Sequence, residues 1–459
     1  MNENEIKRLL DIQRAYFDTG ATLSVEERRN NLKKLKKTIQ QFEPQIIDAL
    51  QKDLNKSATE SYMCEIGMVY SELDYMLKHI KKFAKKKTVR TPLAQAIAKS
   101  YVLPSPYGLT LILSPWNYPF MLSIDPLIDA LSAGNTVIIK PSAYAPNTSH
   151  IIKRIIEATF SSELIAVIEG GRNENTTLLA QNFDYIFFTG SKNVGKEVLR
   201  QAANHLTPVT LELGGKSPCI IDKSADLKIA AKRIAFGKFL NAGQTCVAPD
   251  YILCHKTKIS ELLELLKQEI EIQYSVNPIN NPDLCKIINQ KHFDRLNELL
   301  NSSEIYYGGQ TNPETLHIAP TIIYPCLKDD KIMQEEIFGP LLPIIAYDDL
   351  NEVIKEINNG ETPLALYIFA NDQKTIDYIL DHARFGGASV NETIMHLATP
   401  YMGFGGLKES GMGAYHGKTG FDTFTHYKSV IDKKTWFDLP VRYQPYTKIK
   451  DQIIKFFMH

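Results

Sequence analysis

The most reactive side chain in the sequence is Cys246, in the loop Asn241-Ala242-Gly243-Gln244-Thr245-Cys246 followed by Val247-Ala248-Pro249. An apolar helical stretch (Ile234, Ala235, Phe236, Phe239, Leu240) runs into it. Gly243 relaxes the backbone one turn before the thiol, and Pro249 stops any continuation. A cysteine on such a small-residue turn aims its sulfur and its own N–H at one point. That gives a nucleophile a fixed attack line and a donor for the oxyanion it creates. A cysteine taken at random is more often a small buried hydrophobe, so its neighbours decide.

Those neighbours come from loops that follow β-like runs. After the run 109–113 comes Ser114-Pro115-Trp116-Asn117-Tyr118-Pro119-Phe120, where prolines and aromatics fix the Asn117 carboxamide, a neutral donor suited to an oxyanion. The same asparagine would also serve to satisfy loop backbone. After 136–139 comes Lys140-Pro141-Ser142-Ala143, whose lysine suits ribose or phosphate oxygens, or simply an exposed turn. After 185–188 comes Thr189-Gly190-Ser191-Lys192-Asn193-Val194-Gly195-Lys196-Glu197, a turn entering a helix that offers N–H groups and a positive dipole end to a pyrophosphate. Glu197 stands where a P-loop needs a Ser/Thr hydroxyl for Mg²⁺, which argues against an NTPase. Glu212, in Leu211-Glu212-Leu213-Gly214-Gly215-Lys216, is a carboxylate in an apolar strand, costly to bury if ionised and so a candidate general base. Glu336 and Phe338, in Glu335-Glu336-Ile337-Phe338-Gly339-Pro340, are expected on an extended turn, facing one side to hold a sugar and pack on a flat ring.

The elements that must position these loops follow from periodicity. Residues 1–90 read as helices, with a capping box at Ser24-Val25-Glu26-Glu27 and Leu32, Leu35, Ile39 and Phe42 on one face. From Tyr101 onward, apolar runs at 109–113, 136–139, 164–168, 185–188 and 209–213 alternate with helical stretches such as 149–160. This is the pattern of βαβ units and a buried parallel sheet, whose ligands sit at the strand carboxyl ends. A second α/β region runs from about 214 to 398, then a strand-like 423–431 and a basic amphipathic helix at 448–457.

Composition excludes several classes. A chain of 459 residues points to two or three domains. Lys+Arg and Asp+Glu both total 52, so bulk charge asks for neither nucleic acid nor an anionic membrane. The basic run from Lys81 to Lys87 has no interleaved aromatic platform and reads as a solvated helix face. Six scattered cysteines without CxxC pairs suggest a reducing cytoplasm rather than a disulfide or zinc framework. The acidic amino terminus is no signal peptide, and no apolar run is long enough to span a membrane. The expectation is a soluble cytoplasmic protein with no metal.

Taken in order, P-W-N (115–117), K-P-S (140–142), F-T-G-S with a glycine at 195, L-E-L-G-G-K (211–216), N-A-G-Q-T-C (241–246) and E-E-I-F-G-P (335–340) resemble the NAD(P)-dependent aldehyde dehydrogenase family. The run from Gly411 to His426 resembles its class-three branch. The resemblance implies an α/β fold: a modified Rossmann cofactor domain (1–78 and 106–209), an α/β catalytic domain (210–398), and a β oligomerisation arm with the tail (79–105 and 399–459) that joins a homodimer. It implies that Cys246 attacks the aldehyde, that Asn117 and the Cys246 N–H hold the oxyanion, and that Glu212 activates the water that releases the acid. It assigns the cofactor to Lys140, Ser142, Ala143, Gly190, Ser191, Gly195, Leu213, Glu336, Phe338 and Trp116. The branch points to medium- or long-chain aliphatic, or aromatic, aldehydes.

Two positions depart from the family pattern. Ala143 stands where NAD-preferring members carry a glutamate, which removes a repulsion against a 2′-phosphate and points to NADP being accepted beside NAD. Gly403 stands where the branch has proline, near the expected substrate mouth. Rival readings are a CoA-acylating dehydrogenase, opposed by Glu212, and a cofactor-independent cysteine hydrolase, which leaves the composite nucleotide site without purpose. The tail (Ile449, Ile453, Phe456, Phe457) suits packing on protein better than peripheral contact with a membrane.

Overall fold

The N-terminal third is helical because its apolar residues recur at helical spacing. The computed structural model describes residues 2–458. Helices α1 (Glu3–Asp18), α2 (Val25–Leu54), the short α3 (Ala58–Ser61) and α4 (Gly67–Phe83) bury one face each. Leu32, Leu35, Ile39, Ile46 and Leu50 of α2 are fully buried. Only half of the expected capping box forms on α2: the Ser24 hydroxyl accepts from the Glu27 N–H, while the Glu27 carboxylate takes the Asn30 amide instead. Between α3 and α4 the chain makes one π-helical turn, Tyr62–Ile66.

Three large sheets follow, besides a two-stranded ribbon of Thr311–Asn312 and His317–Ile318. The first has six strands in the order Gly411–Met412, Val209–Glu212, Tyr185–Thr189, Leu109–Leu113, Thr136–Lys140, Ile165–Val167. All its pairings are parallel except that of the outermost strand, Gly411–Met412. From Leu109–Leu113 the chain winds outward one way and then returns to build the other side. The switch point therefore lies between Leu109–Leu113 and Tyr185–Thr189, where sheets of this type open a ligand crevice. Helices α5 (Met121–Ala133), α6 (Pro146–Thr159), α7 (Arg172–Leu179) and α8 (Lys192–Ala202) connect these strands. The second sheet has seven strands drawn from residues 218–390, fed by α9 (Leu227–Phe239). The third is a three-stranded antiparallel arm of Lys87–Val89, Ala98–Pro106 and Thr425–Lys433. The strands of the first sheet are buried on both faces, which is why they read as unbroken apolar runs rather than alternating ones.

Helix α5 is buried along its whole length and yet carries Asp125 and Asp129, one turn apart, whose four carboxyl oxygens have no hydrogen-bond donor among the described residues. Asp129 packs against Gly420 and faces Glu72 of α4, which accepts the Gly417 N–H at 2.7 Å and lies 3.5 Å from His416 Nδ1. Burial, with Glu72 and Asp125 adding to it, holds the Asp129 carboxyl well above the usual range. A carboxyl with a raised folded pKa contributes stability that is complete below its unfolded value of about 4 and is lost as pH rises toward the folded value. Asp129→Asn is therefore expected to raise Tm at pH 7, with the gain shrinking toward pH 4, as followed by thermal melts across that range.

Candidate active site

Helix α9 delivers Cys246 through a reversal of backbone hand. After Leu240 the residues Asn241, Ala242 and Gly243 have φ of 53°, 51° and 71°. Left-handed backbone costs a residue with a side chain about 1–2 kcal/mol, so two of these three must be held in place. The Asn241 side-chain amide donates to Asn117 O at 2.8 Å and to Gln244 O at 3.1 Å. The Gln244 amide returns to Asn241 O at 3.0 Å and reaches Lys286 O at 3.1 Å, while its oxygen accepts the Ile288 N–H. A Cβ on Gly243 would stand 2.3 Å from Gly339 O, so glycine there also admits the segment that carries Glu336 and Phe338. Burial pushes the Cys246 thiol up to about 12, with the Glu336 and Glu212 carboxylates adding to the rise and its own and the Val247 N–H opposing it. At rest Cys246 is a neutral thiol, and to act as a nucleophile it would need a base.

Asn117 is brought to the same loop: its Nδ2 donates to Gln244 O at 3.1 Å. What fixes it is a pair of charges that the sequence did not advertise. Lys56 and Glu65 are wholly buried and meet at 2.5 Å. Lys56 Nζ also donates to Asn117 O at 2.9 Å and sits 4.1 Å from the centre of the Tyr118 ring. The other Glu65 oxygen accepts the N–H groups of Phe120 (2.8 Å) and Met121 (3.2 Å), where α5 begins. A carboxylate at that helix start answers both the unpaired donors and the dipole. Tyr118 in turn reaches Thr245, next to the thiol, through a 2.7 Å hydroxyl contact.

Glu212 closes the strand Val209–Glu212 as a buried acid without a partner. It is 2% exposed, and neither carboxyl oxygen has a donor among the described residues. Burial alone holds its carboxyl well above the usual range. Glu336 lies over the glycines that follow: a Cβ on Gly214 would meet its carboxylate at 2.2 Å. Burial and then Asp250 raise Glu336 to about 8, against the pull of the Gly215 amide, Lys216 and Arg295. Lys216 clasps this segment, donating to Asp250 at 2.7 Å, Ile332 O at 3.1 Å and Glu335 O at 3.0 Å. The extended turn expected here is corrected by the structure: Phe338 has φ of 49°, because Gly243 admits the Gly339 backbone only if the chain turns back. Phe338 meets Trp116 edge-on, with ring centres 5.3 Å apart.

The remaining candidates sit at or beyond the carboxyl ends of strands of the first sheet. The α8 N-terminus has Ser191 as its cap residue with no side-chain cap bond, which leaves first-turn N–H groups open to an anion. A Cβ on Gly190 would strike the Phe188 ring at 2.7 Å, and one on Gly195 would strike the Leu213 side chain at 2.7 Å, so both glycines keep a close-approach cradle clear. Ser142 is half-buried and Ala143 exposed. Lys140 is buried, donates to Pro141 O at 2.8 Å, and is lowered to about 8 by burial, with Glu174 opposing that shift. It is not brought to the cysteine loop. An uncapped helix start, a glycine cradle and a carboxylate over Gly214 together fit a dinucleotide. Sequence reasoning missed Lys56, Glu65 and the strained Asn241, because their partners lie 61, 9 and 124 residues away and carry no local spacing signal.

Removing one partner of a buried ion pair strands the other, a loss of about 3–5 kcal/mol. Lys56→Met is expected to lower stability by about that amount and Lys56→Met/Glu65→Leu by less, as measured by denaturant unfolding.

With this geometry in hand, relatives are informative. A profile of the aldehyde dehydrogenase family matches residues 1–430. The chain is 47% identical over 456 residues to 4,4′-diaponeurosporen-aldehyde dehydrogenase of Staphylococcus aureus (strain NCTC 8325 / PS 47), covering 99% of each. It is 41% identical to aldehyde dehydrogenase family 3 member A2 of Rattus norvegicus, covering 99% of this chain and 94% of the relative. Among solved structures, the substrate-bound state of Staphylococcus aureus AldH superposes with a TM-score of 0.97 at 46% identity over 99% of both chains. Indole-3-acetaldehyde dehydrogenase in complex with NAD⁺ gives 0.87 at 25% identity, over 94% of this chain and 90% of that one.

Proposed function

The chain belongs to the aldehyde dehydrogenase family and is an aldehyde-oxidising oxidoreductase that uses a nicotinamide cofactor; on that footing we propose that Cys246 is its nucleophile, Asn117 its oxyanion donor and Glu212 its general base. The observation that carries this reading is the Asn117–Gln244 bond, which ties the carboxamide to the loop of the thiol. One amide hydrogen is spent on Gln244 O, and the second is left for an oxygen above the sulfur. Among the described residues the Cys246 N–H donates to no other residue, which leaves it free to be the second oxyanion donor.

In the forward reaction the Cys246 sulfur bonds to the aldehyde carbon while its proton passes to a base. Collapse of the oxyanion releases hydride from that carbon, and a nicotinamide held by Glu336, Phe338 and the start of α8 would supply its acceptor. The thioester left on Cys246 is cleaved by a water whose proton Glu212 takes, which releases the carboxylic acid and restores the thiol. Burial raises the carboxyls of Glu212 and Glu336, Glu336 to about 8, and the Cys246 thiol to about 12, so at Glu336 the carboxylate forms before the thiolate does. Activity therefore grows with rising pH as Glu212 ionises. Glu336, pressed on Gly214, suits the nicotinamide ribose, and Phe338 braced by Trp116 and Gly190 with Ser191 suit the ring and the pyrophosphate.

Cys246→Ala is expected to abolish aldehyde-dependent NAD(P)H formation, whereas Glu212→Gln is expected to keep a first-turnover burst and slow later turnovers about 10²–10⁴-fold, as read by stopped-flow absorbance. Undiminished steady turnover in Cys246→Ala would overturn the reading. A panel of aldehydes graded in chain length, with 4,4′-diaponeurosporen-aldehyde included because a 47% identical relative is named for it, identifies the substrate.

The absence of a carboxylate at exposed Ala143 supports NADP being used alongside NAD, with Lys140 as the attracting charge. Burial lowers Lys140 to about 8, so the KM for NADP is expected to climb from about pH 7 to about pH 9, roughly one unit either side of that value, and the KM for NAD to stay flatter. Comparing both constants across that window checks it. Homodimer formation through Thr425–Lys433 is supported by its place at the edge of the arm, where a second strand would satisfy its open side. The three sheets support the division into a cofactor domain, a catalytic domain and an arm. No helix of the described residues is long and apolar enough to cross a membrane.

A further inference from the structure

Beyond the residues that touch substrate or cofactor, the left-handed run before the thiol has one anchor outside its own loop and the Asn117 loop. Once α9 ends at Leu240, the Asn241 N–H points away from the helix and lies beside buried side chains. A buried donor without an acceptor is costly. Its acceptor is Glu60 Oε1, 2.9 Å away and 181 residues earlier in the chain. The same oxygen also accepts the Cys285 thiol at 3.4 Å. Glu60 is itself fixed: its N–H donates to the Ser57 hydroxyl, which caps α3. Four residues earlier, Lys56 grips Asn117 O. One short segment, residues 56–60, thus holds the nucleophile loop through one side chain and the oxyanion loop through another.

We infer that Glu60 is a positioning residue for the reaction: by accepting the Asn241 N–H it holds the reversed backbone that sets the attack line of Cys246 relative to Asn117. Burial raises the Glu60 carboxyl, with Lys56, the Cys285 thiol and the Asn241 N–H opposing the rise, and its oxygen accepts the N–H that anchors the two strained residues. Glu60 touches neither the thiol nor the cofactor residues, so its loss acts on geometry alone. This role rests on Cys246 being the nucleophile.

The test compares Glu60→Ala and Glu60→Gln with wild type and Cys246→Ala in the full-length protein. Three quantities are read: kcat and cofactor KM with one aldehyde, the rate of iodoacetamide alkylation mapped to Cys246, and Tm. Misplacement by a fraction of an ångström is worth about tenfold or more in rate. Glu60→Ala is accordingly expected to lower kcat about tenfold or more, with the cofactor KM within about twofold, and to slow alkylation of Cys246. Glu60→Gln, whose amide oxygen still accepts the Asn241 N–H, is expected to recover most of both rates. Should Glu60→Ala fail to fold, Glu60→Asp, which withdraws the acceptor by one methylene, replaces it with the same expected pattern. The inference is overturned if the alanine variant keeps wild-type kcat and alkylation rate, or if its kcat falls only as far as its folded fraction while alkylation is unchanged. Full turnover by Cys246→Ala would instead remove the nucleophile assignment itself, whatever the Glu60 variants do.

Discussion

The catalytic geometry depends on one buried ion pair, Lys56 with Glu65. Two charges taken wholly out of water are tolerated only when their remaining bonding capacity is used, and here it is. The ammonium serves a backbone carbonyl and an aromatic face, and the carboxylate serves two amides at the start of α5. Such a pair adds little net stability compared with an apolar filling of the same space. Its gain is specificity, since only one placement of the Asn117 loop satisfies both charges together.

The nucleophile loop solves the complementary problem. It must project a sulfur without a side chain in the way, so it reverses hand over three residues and lets the Gly339 backbone pass close to Gly243. Helix α9, the Asn117 loop and the segment of Glu336 are interlocked at that crossing. The thiol, Glu212 and Glu336 all sit in a dry setting that favours their neutral forms. A dry setting strengthens each hydrogen bond made within it, and it also disfavours the ionised form of the Glu212 carboxyl.

Much of this was legible in the sequence. Each apolar run placed between 109 and 213 became a strand within a residue or so of its expected ends, because fully buried parallel strands have no alternation to blur them. The loops carrying Asn117, Glu212 and Cys246 were found because glycine, proline and chemistry-bearing residues coincide there. The turn at Phe338 was misread as extended, since nothing local announces that a distant glycine admits its neighbour's backbone. Lys56, Glu60 and Glu65 were invisible for a related reason: among the charged residues of an N-terminal helical region, periodicity cannot separate a buried cation from a solvated one. Burial is decided by residues 117–121 and 241, far along the chain.

The six-stranded sheet takes its outermost strand from Gly411–Met412, and the arm joins Ala98–Pro106 to Thr425–Lys433. Both closures link the first half of the chain to its last fifty residues. During synthesis the strand that ends in Glu212 must therefore wait, one edge open, until almost the entire polypeptide has left the ribosome. A nascent chain of this protein exposes an apolar strand edge for nearly half of its elongation, which makes it a natural client for chaperones that shield such edges.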